Sequence, residues 1–403
     1  AHSYYSDGLR SVTGLIFEAW FNGMRALAVT EHNTFGHMQE TVMAWKAIKE
    51  YGDEEFEVIP GIEINMTDFS YGTGSDHMLA YFPIGEGIVG RENIDEFLVW
   101  LEGLEGQPEA DMITRRQDWE RNATKDVLDI LRKADREKRS EIGISHGFLG
   151  LQDTDFIQLS PAGASPSFVA YALSRKYGFD YIEVKDAIDG ITKDLVDVPG
   201  NEEIKERGAR GAIIEPTLAF LRANNAVVFF AHPQFLVLSD LDTARVDVRT
   251  EDGMRERQQL KIEKLRSMFS EYADYIDGIE IYHPDHSEGL IAALLEFLSE
   301  VNEGRSVDDS ILVSAGSDYH GKPYEMRTRP GIRDAKLGIG MEEETAGHVP
   351  MDVGTNYDFV RAIRERAIRK ATSPRTAVTP GSKRHPAGMR QVLQGVREVQ
   401  TGI

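Results

Sequence analysis

Ile311-Leu312-Val313-Ser314-Ala315-Gly316-Ser317-Asp318-Tyr319-His320 runs an apolar strand into a carboxylate and an imidazole two residues apart. Side chains two apart in an extended chain point the same way, so Asp318 and His320 can face one metal centre. Similar phrases recur. His2-Ser3-Tyr4-Tyr5-Ser6-Asp7-Gly8 lies at residues 2–8, while Thr30-Glu31-His32-Asn33-Thr34 and Pro60-Gly61-Ile62-Glu63 each follow an apolar run. His77 begins another run, and Ala231-His232-Pro233 ends one.

Around these phrases the apolar pattern predicts strands at Ala26–Thr30, Phe56–Pro60, Met78–Phe82, Glu141–Ser145, Ala226–Ala231, Gly278–Tyr282 and Ile311–Ala315. Between them lie stripes of helical period. Val12, Leu15, Ile16, Ala19 and Trp20 form one, closed by Gly23; Leu265, Met268, Phe269 and Tyr272 form a second. Leu290, Ile291, Leu294, Leu295 and Leu298 form a third, and a further helix is expected near Tyr357–Ala371. Alternation of short strands with such helices is the α/β signature. In a βα barrel the loops after the strands line one face, which brings strand-end His, Asp and Glu residues together. A pair of metals needs a bridging carboxylate. Glu63 is the candidate, on a strand-end turn that Gly61 allows to be sharp.

Composition narrows the chemistry. The 403 residues, 41% hydrophobic and 28% charged, are ordinary for a globular protein of one large domain or two. With no cysteine, metal binding falls to His, Asp and Glu. That fits a reducing, cytoplasmic setting, and no apolar run approaches the roughly 20 residues of a membrane span. A net charge of −22 argues against general duplex binding. Residues 361–390 nevertheless carry nine Lys or Arg against Glu365 alone, +8, which leaves −30 for the remainder. That segment reads as a solvated helix face with a tail, or as a basic arm drawing a polyanionic substrate inward. The expected organisation is a first barrel part at 1–84, an inserted subdomain at 85–225 with one barrel strand near 141–146, a second barrel part at 226–340, and a C-terminal helix and basic tail at 341–403.

Taken in order, the phrases around His2 and Asp7, His32, Glu63, His77-Met78-Leu79, His232, and Asp318 and His320 resemble the polymerase and histidinol phosphatase (PHP) superfamily. The spacing is closest to its stand-alone metal-dependent phosphoesterases, over about residues 1–330. The resemblance implies a distorted (β/α)7 TIM-like barrel holding two to three divalent ions of manganese, iron or zinc. Carried over, His2, Glu63 and Asp318 would hold a first metal; Glu63, His77 and His232 a second; Asp7, His32 and His320 a third. A metal-bridging hydroxide would attack phosphorus in a phosphomonoester, either a nucleotide or the 5′ end of short single-stranded RNA. Glu63, Asp318 and His146 would be the catalytic groups, and His146, Arg115, Arg116 and His283 would touch substrate.

Three positions depart from the family pattern. Ala1 stands where the family's opening His-x-His has its middle residue, Glu31 replaces the commoner Asp before His32, and Ile144-Ser145-His146 replaces Arg-Pro-His. His283 and His286 read as a polar loop, His37 as a helix-start residue, and His348 and His385 have no partner set. Two other classes compete: a non-catalytic metal-binding module of this fold, and an amidohydrolase-type C–N hydrolase, whose binuclear sites often use a bridging lysine where this chain has Glu63.

Overall fold

The computed structural model describes residues 1–53, 55–67, 75–115, 117–118, 129, 133, 166–177, 181, 183–188, 212–233, 236, 250–283, 286–306, 309–316 and 353–372. In chain order the elements are α1 (Val12–Phe21), β1 (Ala26–His32), α2 (Met38–Glu50), β2 (Glu57–Thr67), β3 (Ser75–Tyr81), α3 (Ile94–Glu102), α4 (Pro166–Tyr177), β4 (Ala212–Ile213), α5 (Ile214–Ala223), β5 (Val227–Phe230), α6 (Glu251–Tyr272), β6 (Gly278–Tyr282), α7 (Glu288–Asn302), β7 (Leu312–Ala315) and α8 (Val353–Thr372). The predicted strand Glu141–Ser145, most of the inserted segment and the tail beyond Thr372 lie outside the described residues.

Helix starts follow local chemistry. The side chains of Ser11, Asn93, Thr250 and Ser287 each accept the backbone N–H three residues on, capping α1, α3, α6 and α7. The strands form one sheet in the order β1-β2-β3-β5-β6-β7, with β4 pairing β2. It curls into a half-barrel. β1 and β2 are parallel, as are β5, β6 and β7, but β3 runs antiparallel to both β2 and β5. The β3 reversal interrupts the regular βα repeat that strand–helix alternation implied. It also places the start of β3, with His77, beside the carboxyl ends of β1 and β2, since His77 is paired with Asn65.

The two faces of the sheet follow from the period of two along each strand. Ile62, Ile64, Met66, Met78, Ala80, Val228, Phe230, Ile279 and Ile281 pack outward against the apolar stripes of α1, α2, α6 and α7. The inner face divides lengthwise. Its half near the strand starts is apolar: Ile59, Leu79, Tyr81, Val227 and Phe229 meet Val360, Ile363 and Ala367 of α8. Continuing along β2 on that face come Gly61, Glu63 and Asn65, and the lining turns polar.

α8 divides the basic segment as far as this helix reaches: Arg361 lies on a solvated face, its side chain 67% exposed, while other cations turn inward. Its inner cations are neither solvated nor near the histidines; they pair at the starts of the strands. Arg364 Nη2 lies 2.8 Å from Glu57 Oε2, and Arg366 Nη1 lies 3.4 Å from Asp277 Oδ1. Lys370 binds Asp277 and donates to Ala226 O at 2.8 Å, while Arg366 donates to Ser310 O at 2.6 Å. Asp277 also accepts the Val228 N–H at 2.8 Å, so one buried carboxylate joins β5 to α8. Replacing Asp277 by Ala leaves two partly buried cations, Arg366 and Lys370, without their carboxylate. It should cost about 3 kcal/mol or more of folding stability in denaturant titration, with the histidine cluster at the other end of the strands still binding metal.

Candidate metal centre

Glu63 is only 3% exposed. It sits within β2 in register with His32 at the end of β1. The expected sharp turn at Gly61 is absent; the strand continues to Thr67. Gly61 serves close packing instead, since a Cβ there would lie 2.9 Å from Thr30 Cγ2 and 3.2 Å from Ala80 O.

Four imidazoles from four places in the chain surround the Glu63 carboxylate. His77 Nδ1 and His232 Nε2 lie 2.5 and 2.9 Å from Oε1, His32 Nδ1 lies 3.7 Å from Oε1, and His2 Nε2 lies 3.4 Å from Oε2. The donor atoms form two triads close enough to hold an ion each, His2–His32–Glu63 and Glu63–His77–His232, with Glu63 common to both. Asp7, its side chain 38% exposed at the rim, brings Oδ1 to 3.8 Å from His32 Nε2 and 3.9 Å from His2 Nδ1. The His32 ring therefore faces Glu63 with one nitrogen and Asp7 with the other.

Electrostatics suit a cation here. Burial would by itself raise the Glu63 pKa, but the imidazoles of His32 and His232 and hydrogen bonds from His2 and His232 hold it well below the carboxylate range. Burial, the largest influence on His32, pushes its imidazole down to about 4. At neutral pH the cluster is thus an anion ringed by at least one neutral imidazole. The buried His32 Nδ1 has no hydrogen-bond partner. An unsatisfied nitrogen lone pair beside a buried carboxylate is a donor set that manganese, iron or zinc fits.

Surrounding groups fix the ligands. Glu31 accepts the Ser3 N–H at 2.7 Å and the Ser6 hydroxyl at 2.5 Å, holding the loop that carries His2 and Asp7. Asn33, at φ 49°, donates its N–H to Glu63 O at 2.8 Å and accepts the Asn65 N–H at 2.9 Å. Its amide donates to Asn65 Oδ1 at 2.5 Å, and Asn65 Nδ2 meets His77 Nε2 at 2.8 Å, which turns His77 Nδ1 to the carboxylate. His232, at φ 23°, is held by its N–H to Glu280 Oε2 at 2.7 Å. Glu280 in turn fits only because residue 316 is glycine: a Cβ there would lie 1.8 Å from Oε1.

Of the residues singled out in the sequence, His2, Asp7, His32, Glu63, His77 and His232 come together. Asp318, His320, His146 and Arg116 lie outside the described residues, and Arg115 is exposed. His283 and His286 are buried, not in a polar loop; the His283 ring lies 5.5 Å from that of His232 and 5.2 Å from that of His286. His37 stands at the start of α2, as expected. Sequence reading gave no role to Asn33, Asn65 or Glu280. The only signal was position: Asn33 and Asn65 each sit one or two residues beyond a ligand.

No family model matches the chain, and no curated protein matches it significantly. Among the solved structures that it is similar to are two whose descriptions name hydrolases. A protein described as a metal-dependent phosphoesterase from Bifidobacterium adolescentis is 19% identical, with TM-score 0.46, over 91% of this chain and 94% of its own. An amidohydrolase from Chromobacterium violaceum, with bound sulfate and no metal, is 16% identical, with TM-score 0.44, over 90% of this chain and 94% of its own. Neither likeness bears on which reaction this chain performs.

Replacing Asn65 by Leu should weaken metal affinity about 10- to 100-fold by releasing the His77 ring, measured by competition with a chelating dye. The metal-free protein should lose stability as pH falls from about 6.5 towards 4. In that window an unfolded His32 binds a proton that the folded one refuses, so protons favour unfolding. A flat melting temperature across this range would contradict the burial of a neutral His32.

Proposed function

We propose that this chain is a metal-dependent hydrolase of phosphomonoesters, acting on a nucleotide or on the 5′ end of short single-stranded RNA. The observation that carries the reading is Glu63, one buried carboxylate shared by two histidine triads. His77 and His232 with Glu63 would hold one divalent ion, and His2 and His32 with Glu63 another. By resemblance, Asp318 would join His2 and Glu63, and Asp7 and His320 would complete a third set with His32. Bound there, such ions would supply a nucleophilic water at neutral pH and positive charge for the transferring phosphoryl group.

The chain's own groups do the rest. Glu63 sets the spacing of the two positions from a strand that packing holds on both sides. Its burial, with that of His2 and His232, keeps bulk water from competing for the donors. Asp7, partly exposed, marks the side from which a substrate reaches the cluster. His146 is assigned to protonate the leaving oxygen, with Arg115 and Arg116 beside the phosphate, on resemblance alone. A carboxylate in the bridging place, instead of lysine, favours phosphoester over C–N hydrolysis.

The manganese-loaded protein should release phosphate from a panel of mononucleotides, nucleoside bisphosphates and 5′-phosphorylated oligoribonucleotides, and leave amides intact. Glu63→Gln should lose both metal and turnover while keeping the far-ultraviolet circular dichroism of the parent. Full activity in that variant, or cleavage of amides alone, would refute the assignment.

A further inference from the structure

A second buried carboxylate stands on the inner face of the sheet, outside the chemistry assigned so far. Glu280, in β6, is 4% exposed. Ile279 and Ile281 on either side of it pack into the outer core, so the period of two turns Glu280 inward, to the face that carries Glu63. Burying a carboxylate is costly unless its charge is met, and a metal ion is one way to meet it. Yet Glu280 belongs to neither of the donor groups among the described residues that could hold an ion. Its Oε2 accepts the His232 N–H at 2.7 Å instead.

That bond falls where the backbone needs holding. His232 has φ 23°, a conformation uncommon for any residue with a Cβ. In that conformation its ring reaches the cluster, with Nε2 2.9 Å from Glu63 Oε1 and 3.2 Å from His77 Nδ1. Release of the N–H would let the backbone relax, and the ring would leave Glu63 with it.

The other oxygen of Glu280 meets the end of β7. β6 carries one extra residue at this point, since Glu280 pairs with Ser314 and Tyr282 with Ala315. Gly316 then donates its N–H to Tyr282 O at 2.9 Å. A Cβ on residue 316 would lie 1.8 Å from Glu280 Oε1 and 2.9 Å from its Cδ. Gly316 is not among the residues with positive φ, so position 316 requires glycine for space and not for conformation.

We propose that Glu280 is the positioning residue of His232, and that Gly316 is the space it needs. The ion position formed by His77, His232 and Glu63 is thereby set from the end of β7, whereas the position formed by His2, His32 and Glu63 is not. This deepens the proposed function and rests on its metal centre, not on its reaction.

The test titrates the metal-free whole chain with manganese against a chelating dye, and identifies the His77–His232 step as the one that His77→Ala abolishes. Glu280→Ala should weaken that step about 10- to 100-fold, as for other groups that orient a metal ligand, and leave the His2–His32 step unchanged. Glu280→Gln, which keeps an oxygen acceptor at the same reach, should retain most of the affinity. Gly316→Ala should copy the Glu280→Ala defect. Added to Glu280→Ala it should cost nothing further, because the group it displaces has gone. Parental affinity in Glu280→Ala, equal weakening of both steps, or a full further loss in the double variant overturns the proposal. Should Gly316→Ala fail to fold, the Ala and Gln variants at position 280 decide the matter by themselves. Selective loss of the one step, in a protein that cleaves no phosphoester, sustains the positioning role and sinks the hydrolase reading. Phosphoester cleavage with the metal steps of Glu280→Ala unchanged does the reverse.

Discussion

A carboxylate held ionised in the interior, within reach of four imidazoles, is the constraint on which this structure turns. Glu63 has almost no contact with water, so its charge must be met from within. The histidines that meet it arrive from the residue 2–8 loop, from β1, from β3 and from the end of β5, which ties the two halves of the sheet at one point. The same groups that stabilise the anion also present nitrogen lone pairs. Such a cluster is poised between a hydrogen-bonded network and a metal site, and a divalent cation satisfies both kinds of donor at once.

The sheet separates this chemistry from the chain's stability. At the strand starts the inner face is apolar and closed by α8, whose Arg364, Arg366 and Lys370 neutralise Glu57 and Asp277. At the other end the inner face is polar. The division lets the polar end tolerate His232 in a left-handed conformation and unsatisfied nitrogens at His32 and His286, because packing at the apolar end holds the strands.

Much of the architecture was legible. The stripes on α1, α6 and α7 fall where their helical period places them, apart from Leu295, which is exposed, because those faces bury against the sheet and the period survives in the sequence. β2 was read too short. Pro60-Gly61 looks like a strand end, since proline is rare in a central strand, yet β2 runs on through it to Thr67. Gly61 is required by the closeness of Thr30 and Ala80, residues distant in sequence. The direction of β3 was equally hidden, for periodicity is the same in parallel and antiparallel strands.

His2, Asp7, His32, Glu63, His77 and His232 were picked out from residue type, from position beside apolar runs and from the likeness of their phrases to a known superfamily, and metal ligation restricts a cysteine-free chain to a few side chains. Which of them share an ion, and that Glu63 is the shared one, came from strand register: His32 opposite Glu63 and His77 opposite Asn65. Asn33, Asn65 and Glu280 gained a place only in three dimensions. An amide or a carboxylate says nothing in sequence about whether it faces water or the interior. That depends on what packs over it, and the groups that do so here come from far along the chain.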